Sequence, residues 1–296
     1  MLRTLRLARH LLTARRMTAK LCVLGGSALF VAACGTAPMD PNPMMPPDPE
    51  CPATMQPGDV CVDGDAGSDA ADVVGSATAP VKSLTHALSI VGKQGSGRTI
   101  YLMPARYDAA NGEAFPIVIP AGVVVRGTIP VAATEQTAMT ASQADAAVVL
   151  ADGPILTMQG GATLANVIAL AEGSSNTDYR FVVDGGIADI TLENVYFHGG
   201  SAKVASFYVQ GGTVRIQDSQ LGPSLLLGTG KQLIATGSTL FADGDGTPIW
   251  LFGTATLSMV TLRPDRGMIS LTGDVSAHGL TVESPSPQAG KVVIGP

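Results

Sequence analysis

Residues 190–197 have the sequence ITLENVYF, and this eight-residue pattern decides the fold. It occurs six times without a gap, in copies that begin at Ala162, Ile190, Val214, Leu233, Ala255 and Val275. Positions one, three, six and eight are apolar or small, with Ser219 and Ser238 as the polar exceptions, while positions two and seven are mostly polar. Because side chains alternate between the two sides of a strand, the pattern predicts two short strands, each with one buried side.

Position five predicts a sharp bend between these two strands. It is occupied by Asn166, Asn194, Asp218, Gly237, Met259 and Gly279. Asn, Asp and Gly tolerate a positive φ, so five of the six copies predict a left-handed bend, and we expect Met259 to mark a coil with a different bend. The side chains of Asn166, Asn194 and Asp218 should then stack into a hydrogen-bonded turn ladder.

A third strand precedes the pattern in most repeats. The five apolar segments are Phe181–Val183, Phe207–Val209, Leu225–Leu227, Ile249–Leu251 and Met268–Leu271. Strand and bend units at intervals of 19 to 28 residues are typical of a β solenoid. The sequence therefore predicts an all-β, right-handed single-stranded parallel β-helix over residues 61–296, with three strands per coil.

A short capping helix is predicted at residues 82–92, near the start of this domain. Leu84, Ala87, Leu88 and Val91 have the spacing of one apolar helical face, Ser83 is a suitable N-cap, and Gly92 is a suitable stop. An amphipathic helix here would cover the first coil of the solenoid, whose core would otherwise meet water.

The segment from Cys61 to Gly127 carries a family resemblance. The residues that carry it are Val62-Asp63, Gly67-Ser68-Asp69, the run from Ala79 to Leu88, Thr99 to Pro104 with Tyr107, and Phe115 to Pro120 followed by Gly122 to Gly127. Together they are similar to the domain of unknown function 1565 family, within the pectate-lyase-like β-helices. The resemblance implies the β-helical fold and no known activity.

Residues 1–33 are typical of a secretion signal, with a basic start and an apolar run from Leu21 to Ala33. Thirteen residues are too few to span a bilayer, which needs about 20. Val31-Ala32-Ala33-Cys34 resembles the bacterial lipobox, which implies lipidation of Cys34, anchoring to a membrane and an extracytoplasmic location, with the outer membrane favoured. An ordinary signal peptide with a chance cysteine is the alternative, and translation starts at Met1 or at Met17.

Residues 34–60 form the expected tether between this anchor and the domain. Eight prolines and no Lys or Arg occupy residues 35–60, a composition that cannot bury a core. Cys51 and Cys61 are the cysteines left after processing, and in an oxidising compartment we expect them to form a disulfide. A metal site would need more ligands than these two thiols provide.

The charge of the exported part argues against a nucleic-acid partner. Six of the 18 cations precede residue 34 and no acid does, so the remainder carries 12 cations against 24 acids, a net charge of −12. Such a chain repels polyanions.

Catalytic and cofactor signals are weak. A polysaccharide lyase needs clustered acids with a base, and a glycoside hydrolase needs paired carboxylates, but Asp184 is the lone acid expected to point outward from the third strand of each coil. Asp63-Gly64-Asp65 and Asp69 have the composition of a calcium loop without its spacing, so calcium is the less favoured interpretation and no cofactor is expected. A groove with three or more acids and a Lys or Arg would favour a carbohydrate-active enzyme.

One outward row remains as a candidate site. Tyr208, Leu226, Trp250 and Phe252 should lie on adjacent coils, where they form an apolar stripe that contains the single Trp of the chain. Such a stripe stacks sugars or docks a protein, or else a loop at 242–248 covers it. The leading hypothesis is a non-catalytic envelope lipoprotein that binds a polysaccharide or an envelope protein, and the alternative is a carbohydrate-active enzyme.

Overall fold

The computed structural model describes residues 50–131, 146–171, 179–199, 205–242, 248–265, 267–283 and 290–294 of the chain. Within these ranges the chain forms 23 strands and one α-helix.

The elements are numbered along the chain. Those before residue 132 are β1 (Val60–Val62), α1 (Leu84–Gly92), β2 (Thr99–Leu102), β3 (Ala105–Tyr107), a 3-10 turn at Ala109–Asn111, β4 (Ile117–Ile119) and β5 (Val124–Gly127). The next are β6 (Ala147–Ala151), β7 (Leu156–Gln159), β8 (Thr163–Ala171), β9 (Tyr179–Asp184), β10 (Ile190–His198), β11 (Ala205–Gly211), β12 (Thr213–Gln217) and β13 (Gln220–Gly222). The last are β14 (Leu225–Leu227), β15 (Gln232–Thr236), β16 (Thr239–Phe241), β17 (Ile249–Leu251), β18 (Thr254–Ser258), β19 (Thr261–Arg263), β20 (Met268–Leu271), β21 (Asp274–His278), β22 (Thr281–Val282) and β23 (Lys291–Ile294).

These strands stack into three faces. The first face has the order β1-β2-β5-β8-β10-β12-β15-β18-β21, the second β3-β6-β8-β10-β13-β16-β19-β22, and the third β4-β7-β9-β11-β14-β17-β20-β23. Strands β8 and β10 belong to both the first and the second face, because each continues through the bend. Since successive strands of each face pair in parallel, the prediction of an all-β parallel β-helix is confirmed.

The six copies of the eight-residue pattern lie in register along the solenoid. Ile190 pairs with Val214, which pairs with Leu233, then Ala255 and then Val275. The first four of these side chains are fully buried. A fully buried Val, Leu or Ile contributes about 1.5–3 kcal/mol, so stability is distributed over the coils rather than concentrated in one centre.

All six bends are left-handed, which corrects the expectation for Met259. The φ angles are 55° at Asn166, 52° at Asn194, 47° at Asp218, 58° at Gly237, 54° at Met259 and 65° at Gly279. Met259 follows its neighbours because the coils are hydrogen-bonded to one another at the bend: Gly237 N donates to Ser258 O at 3.0 Å, and Met259 N donates to His278 O at 2.8 Å. A left-handed conformation costs a residue with a Cβ about 1–2 kcal/mol, and the neighbouring coils impose it on Met259.

The predicted turn ladder forms between Asn166 and Asn194 but does not continue to Asp218, and it gains an earlier contact with Gly127. Asn166 Nδ2 donates to Gly127 O at 3.1 Å, and Asn194 Nδ2 donates to Asn166 Oδ1 at 3.0 Å. Within the described part of the chain, no hydrogen bond joins Asn194 to Asp218, whose side chain accepts from Gln217 Nε2 instead. In the two contacts that form, the later residue donates through its side-chain amide nitrogen, and Asp218 has no amide.

The two inward polar positions, Ser219 and Ser238, satisfy the backbone of the bend. Ser219 Oγ accepts from Val195 N at 2.9 Å and donates to Gln217 O at 2.7 Å, while Ser238 Oγ accepts from Ser219 N and donates to Thr236 O. Both serines are buried. Their hydroxyls therefore replace main-chain partners that a tight bend leaves unpaired.

Helix α1 covers the first coils, with Leu84, Ala87, Leu88 and Val91 buried and Ser83 at the N-cap. The helix begins at Leu84, two residues after the predicted start, and its last residue is Gly92, followed by Lys93 as the C-cap. It is short and apolar only on one side, and no helix in the described ranges is both long and apolar enough to cross a membrane.

Two carboxylates hold the start of α1. Asp69 accepts from Lys82 N, Ser83 N and Ser83 Oγ, and Glu113 accepts from Leu84 N, Thr85 N and Thr85 Oγ1 at 2.6–2.8 Å. Partial burial opposes ionisation of Asp69, but its hydrogen bonds to Ser83 and Lys82 outweigh burial and lower its pKa. Deeper burial raises the pKa of Glu113 despite its three donors. These anions satisfy the free N–H groups at the helix start.

Candidate binding face

The predicted apolar row lies on the third face, in register. Tyr208 pairs with Leu226 and Leu226 pairs with Trp250, so three of its four members occupy equivalent positions on consecutive strands. Each is half-buried, while Phe252, two residues beyond Trp250, is 44% exposed. Because adjacent strands are about 4.8 Å apart, Tyr208 and Trp250 are separated by about 10 Å along the solenoid. We call these four residues the aromatic row.

Each of the three rings in the aromatic row has a near-parallel neighbouring ring. Trp250 and Phe252 have ring centroids 6.2 Å apart and planes within 24° of each other. Tyr208 stacks on Tyr179, at a centroid distance of 4.2 Å and an interplanar angle of 15°. Near-parallel rings present flat apolar surfaces, the shape that the CH face of a pyranose ring or a flat protein side chain packs against.

The same outward position continues in both directions without a charged side chain. Before Tyr208 it is occupied by Val182, Thr157 and Val118, and after Trp250 by Ser270 and Val293. Ser270 is only 7% exposed although it occupies this outward position. Asp184, at the neighbouring outward position, is the nearby acid and is exposed. The row is thus part of an uncharged strip on an otherwise acidic chain.

An apolar groove lies at the α1 end of this strip. It has a volume of about 400 Å³ and is lined mainly by Leu88 of α1 and by Pro116, Ile117, Val118 and Pro120 around β4. Sequence reasoning missed both this groove and Tyr179. The groove depends on where α1 packs, and Tyr179, the first residue of β9, stacks on the outward Tyr208 although it shares the alternation of the inward Phe181 and Val183.

The predicted cover of the aromatic row cannot be placed. Residues 243–247 of the 242–248 loop lie outside the described residues, as does Cys34 with the whole of residues 1–33.

A second, polar groove of about 530 Å³ lies on another part of the surface. Its charged lining residues are Arg106, Asp108 and Asp152. Asp108 is already engaged, because it accepts from Asn111 N at 3.0 Å and from Arg106 Nε at 2.5 Å. Arg180 has no exposed surface; burial lowers its pKa, and the charge of Asp152 opposes that shift. This groove was not predicted, because its residues are spread over three separate segments.

The charged residues around the first face form ordinary surface ion pairs. Arg215 contacts Asp189 at 2.7 Å, and Arg126 reaches across Ala165 to Glu193 at 3.0 Å. All four side chains are about 40–50% exposed. Exposed pairs of this kind contribute about 0–1 kcal/mol each, and none of them faces the aromatic row.

The calcium-like run and the cysteines have structural partners. Asp63 Oδ1 accepts from Asp65 N and Ala66 N, so it closes a turn. In the described ranges no three His, Cys, Asp or Glu side chains are grouped to hold a metal. The sulfur atoms of Cys51 and Cys61 are paired, with Cα atoms 6.2 Å apart, which fastens residue 51 to the buried strand β1.

Comparison with known proteins gives a family and no closer relative. The family described as Protein of unknown function (DUF1565) matches residues 66–219, which is more than half of the 296 residues. No curated protein and no solved structure matches the chain. The match includes α1 and Tyr208 and ends before Leu226, Trp250 and Phe252, so most of the aromatic row lies beyond it.

Proposed function

Since the chain belongs to the DUF1565 family of proteins of unknown function, we propose its role from its own surface: a non-catalytic cell-envelope lipoprotein whose third face binds a glycan or a protein. The single observation that carries this proposal is the in-register aromatic row. Tyr208, Leu226 and Trp250 repeat the same outward position on consecutive strands, and Phe252 extends the surface beside them.

The chemistry of the row favours binding over catalysis. Aromatic residues make up 4% of the chain, yet Trp250, Phe252 and Tyr208 lie on one strip that carries no charge at its central position. Flat aromatic surfaces bind through apolar contact and ring stacking, and the four residues of the row include no carboxylate and no basic side chain.

The location is part of the same proposal. Lipidation at Cys34 would place the protein in the cell envelope, with the proline-rich residues 34–60 as a tether, and the outer membrane is the favoured site. Its support is the apolar run that ends in Val31-Ala32-Ala33-Cys34. Palmitate labelling of the protein in cells tests it, and a C34A variant should lose the label together with its membrane association. An unlabelled wild-type protein contradicts this part of the proposal.

The binding role is tested with the purified protein on a panel of polysaccharides and envelope proteins. W250A should lose binding by at least ~10-fold while its melting temperature changes little, because Trp250 is half-buried on the outside of the sheet. The matched control is Y101A, which removes a half-buried aromatic residue from the first face. Equal binding by W250A, Y101A and the wild type would exclude the aromatic row.

The polar groove supports a second candidate, a carbohydrate-active enzyme. Arg106, Asp108 and Asp152 place two carboxylates and a cation around one cavity, and glycoside hydrolases use two carboxylates. The groove has two acids rather than three, and Asp108 is held by Arg106 and the 3-10 turn, so it ranks second. Reducing-sugar and lyase assays on the wild type and on D152N decide it: activity that D152N abolishes would favour the enzyme.

A further inference from the structure

The two ends of the solenoid differ. Helix α1 buries its apolar face against the first coils. At the other end, β21, β22 and β23 are the last strands of the three faces, and among the described residues no strand pairs with their outer edges. Val282 is 53% exposed and Ile294 is 71% exposed in this last coil, where Val275 and Val292 are only half-buried. An open β edge above an apolar core is a site for strand pairing.

The main chain of β21 has a free hydrogen-bonding row. His278 O accepts from Met259 N, so the carbonyl of His278 points back to the preceding coil. In a parallel pair, alternate residues direct both main-chain groups to the same neighbour, so Asp274 and Ser276 also point to β18. Val275 and Ala277, which lie between them, direct their N–H and C=O groups away from β18, toward the outer edge.

We infer that this edge is an interface with a second copy of the chain, in which β21 pairs antiparallel with its own counterpart about a two-fold axis at Ser276. Pairing at this register places Val275 opposite Ala277 of the partner subunit, and these are the residues with free main-chain groups. Directly opposite residues of an antiparallel pair that both point at each other exchange two hydrogen bonds. The five residues of β21 are fully matched in this arrangement.

Side-chain direction supports the same register. Val275 and Ala277 occupy inward positions of the repeat, and in this last coil Val275 is half-buried and Ala277 is exposed, while Asp274, Ser276 and His278 are exposed on the outward side. Because opposite residues lie on the same side of a sheet, the inward side of one copy meets the inward side of the other. The apolar cores of the two solenoids then join, and Val275 is covered.

Charge complementarity identifies a second copy as the occupant. The register places Asp274 opposite His278 of the partner subunit, and the two-fold axis repeats this contact on the other side. A carboxylate and an imidazole are complementary through an ion pair or a hydrogen bond. A strand that is complementary to itself in hydrogen bonding, side-chain direction and charge forms an isologous interface.

The test is the oligomeric state of the purified full-length protein, measured by sedimentation equilibrium over a range of concentrations. The wild type should be a dimer. S276K places two lysines opposite each other at the axis, and like charges in such a close pair should raise the dissociation constant by at least ~10-fold. T256K is the matched control, because Thr256 is the exposed neighbour of Ser276 on β18 and should leave the dimer intact.

A charge swap separates pairing from any effect on folding. D274K replaces the carboxylate opposite His278 of the partner subunit with a cation and should weaken the dimer, whereas D274K/H278E places opposite charges in the same register and should restore it. Circular dichroism and thermal melting verify that the variants fold. A monomeric wild type, a dimer that S276K leaves unchanged, or a D274K/H278E protein no tighter than D274K would each overturn the inference.

Discussion

Asn194 Nδ2 donates to Asn166 Oδ1 at 3.0 Å, which links the left-handed bends of two consecutive coils. The contact depends on both residues having an amide and both having a positive φ. One position therefore meets two requirements, a backbone that tolerates the bend and a side chain that both donates and accepts.

Replacing Asn194 separates the two requirements. N194G keeps the bend and loses the hydrogen bond, and it should lower the free energy of unfolding by about 1 kcal/mol. N194A loses the bond and keeps a Cβ at φ 52°, so it should cost about 1–2 kcal/mol more. Urea unfolding measures both variants, and an N194G protein less stable than N194A would contradict the assignment of strain to the bend.

Among the six bend residues, Met259 is the one whose residue type does not favour a positive φ. M259G should raise the free energy of unfolding by up to ~1 kcal/mol, since relief of about 1–2 kcal/mol of left-handed strain exceeds the added chain entropy of Gly. Met259 is 63% exposed, so little buried contact is lost. T256G, in the extended strand before it, is the control and should be destabilising.

The register of the repeat is tested at Leu257 and Thr256. L257D buries a carboxylate between Ala235 and Ala277, and it should prevent folding or lower the melting temperature sharply. T256D lies on the exposed side of the same strand and should change stability by no more than ~0.5 kcal/mol. Similar melting temperatures for the two variants would refute the assigned inward and outward positions.

Acid should weaken the attachment of α1 through Asp69. Its pKa is lower in the folded chain than the ordinary value of 3.8, so its contribution is present above that pH and is lost as the pH falls through the folded-state pKa. The wild type should be more stable than D69N at neutral pH, and the difference should shrink below pH 3.8. Unfolding curves of both proteins at several pH values give this difference, and a constant gap would contradict it.

Much of the solenoid was predictable because its determinants are local. The alternation within residues 190–197 places Ile190, Leu192, Val195 and Phe197 in the core, and all four are buried. Asn and Gly at position five likewise predict the bend locally, because both tolerate a positive φ. Met259 could not be recognised, because its bend is imposed by hydrogen bonds from adjacent coils and not by its own preference.

It was less predictable which outward side chains are exposed, because the residues that cover them come from distant segments of the chain. Tyr196 occupies an outward position, yet it is buried in a small cluster with Val131, Ala146 and Val148 on the second face. No local pattern at residue 196 indicates a contact more than 40 residues away. The aromatic row was found because its members repeat at one position, whereas Tyr179 and the polar groove at Arg106 follow no repeat.

The in-register pairing of the coils has a consequence for the evolution of the protein. The main chain of each coil pairs only with the coil before it and the coil after it, and Val214, Leu233 and Ala255 are equivalent positions. Duplicating one repeat would therefore lengthen the uncharged strip by about 4.8 Å, and the new coil could pair with both of its neighbours through the same register. The length of the strip that a ligand can contact is therefore set by the number of coils, and duplication of a repeat within the gene can change that number.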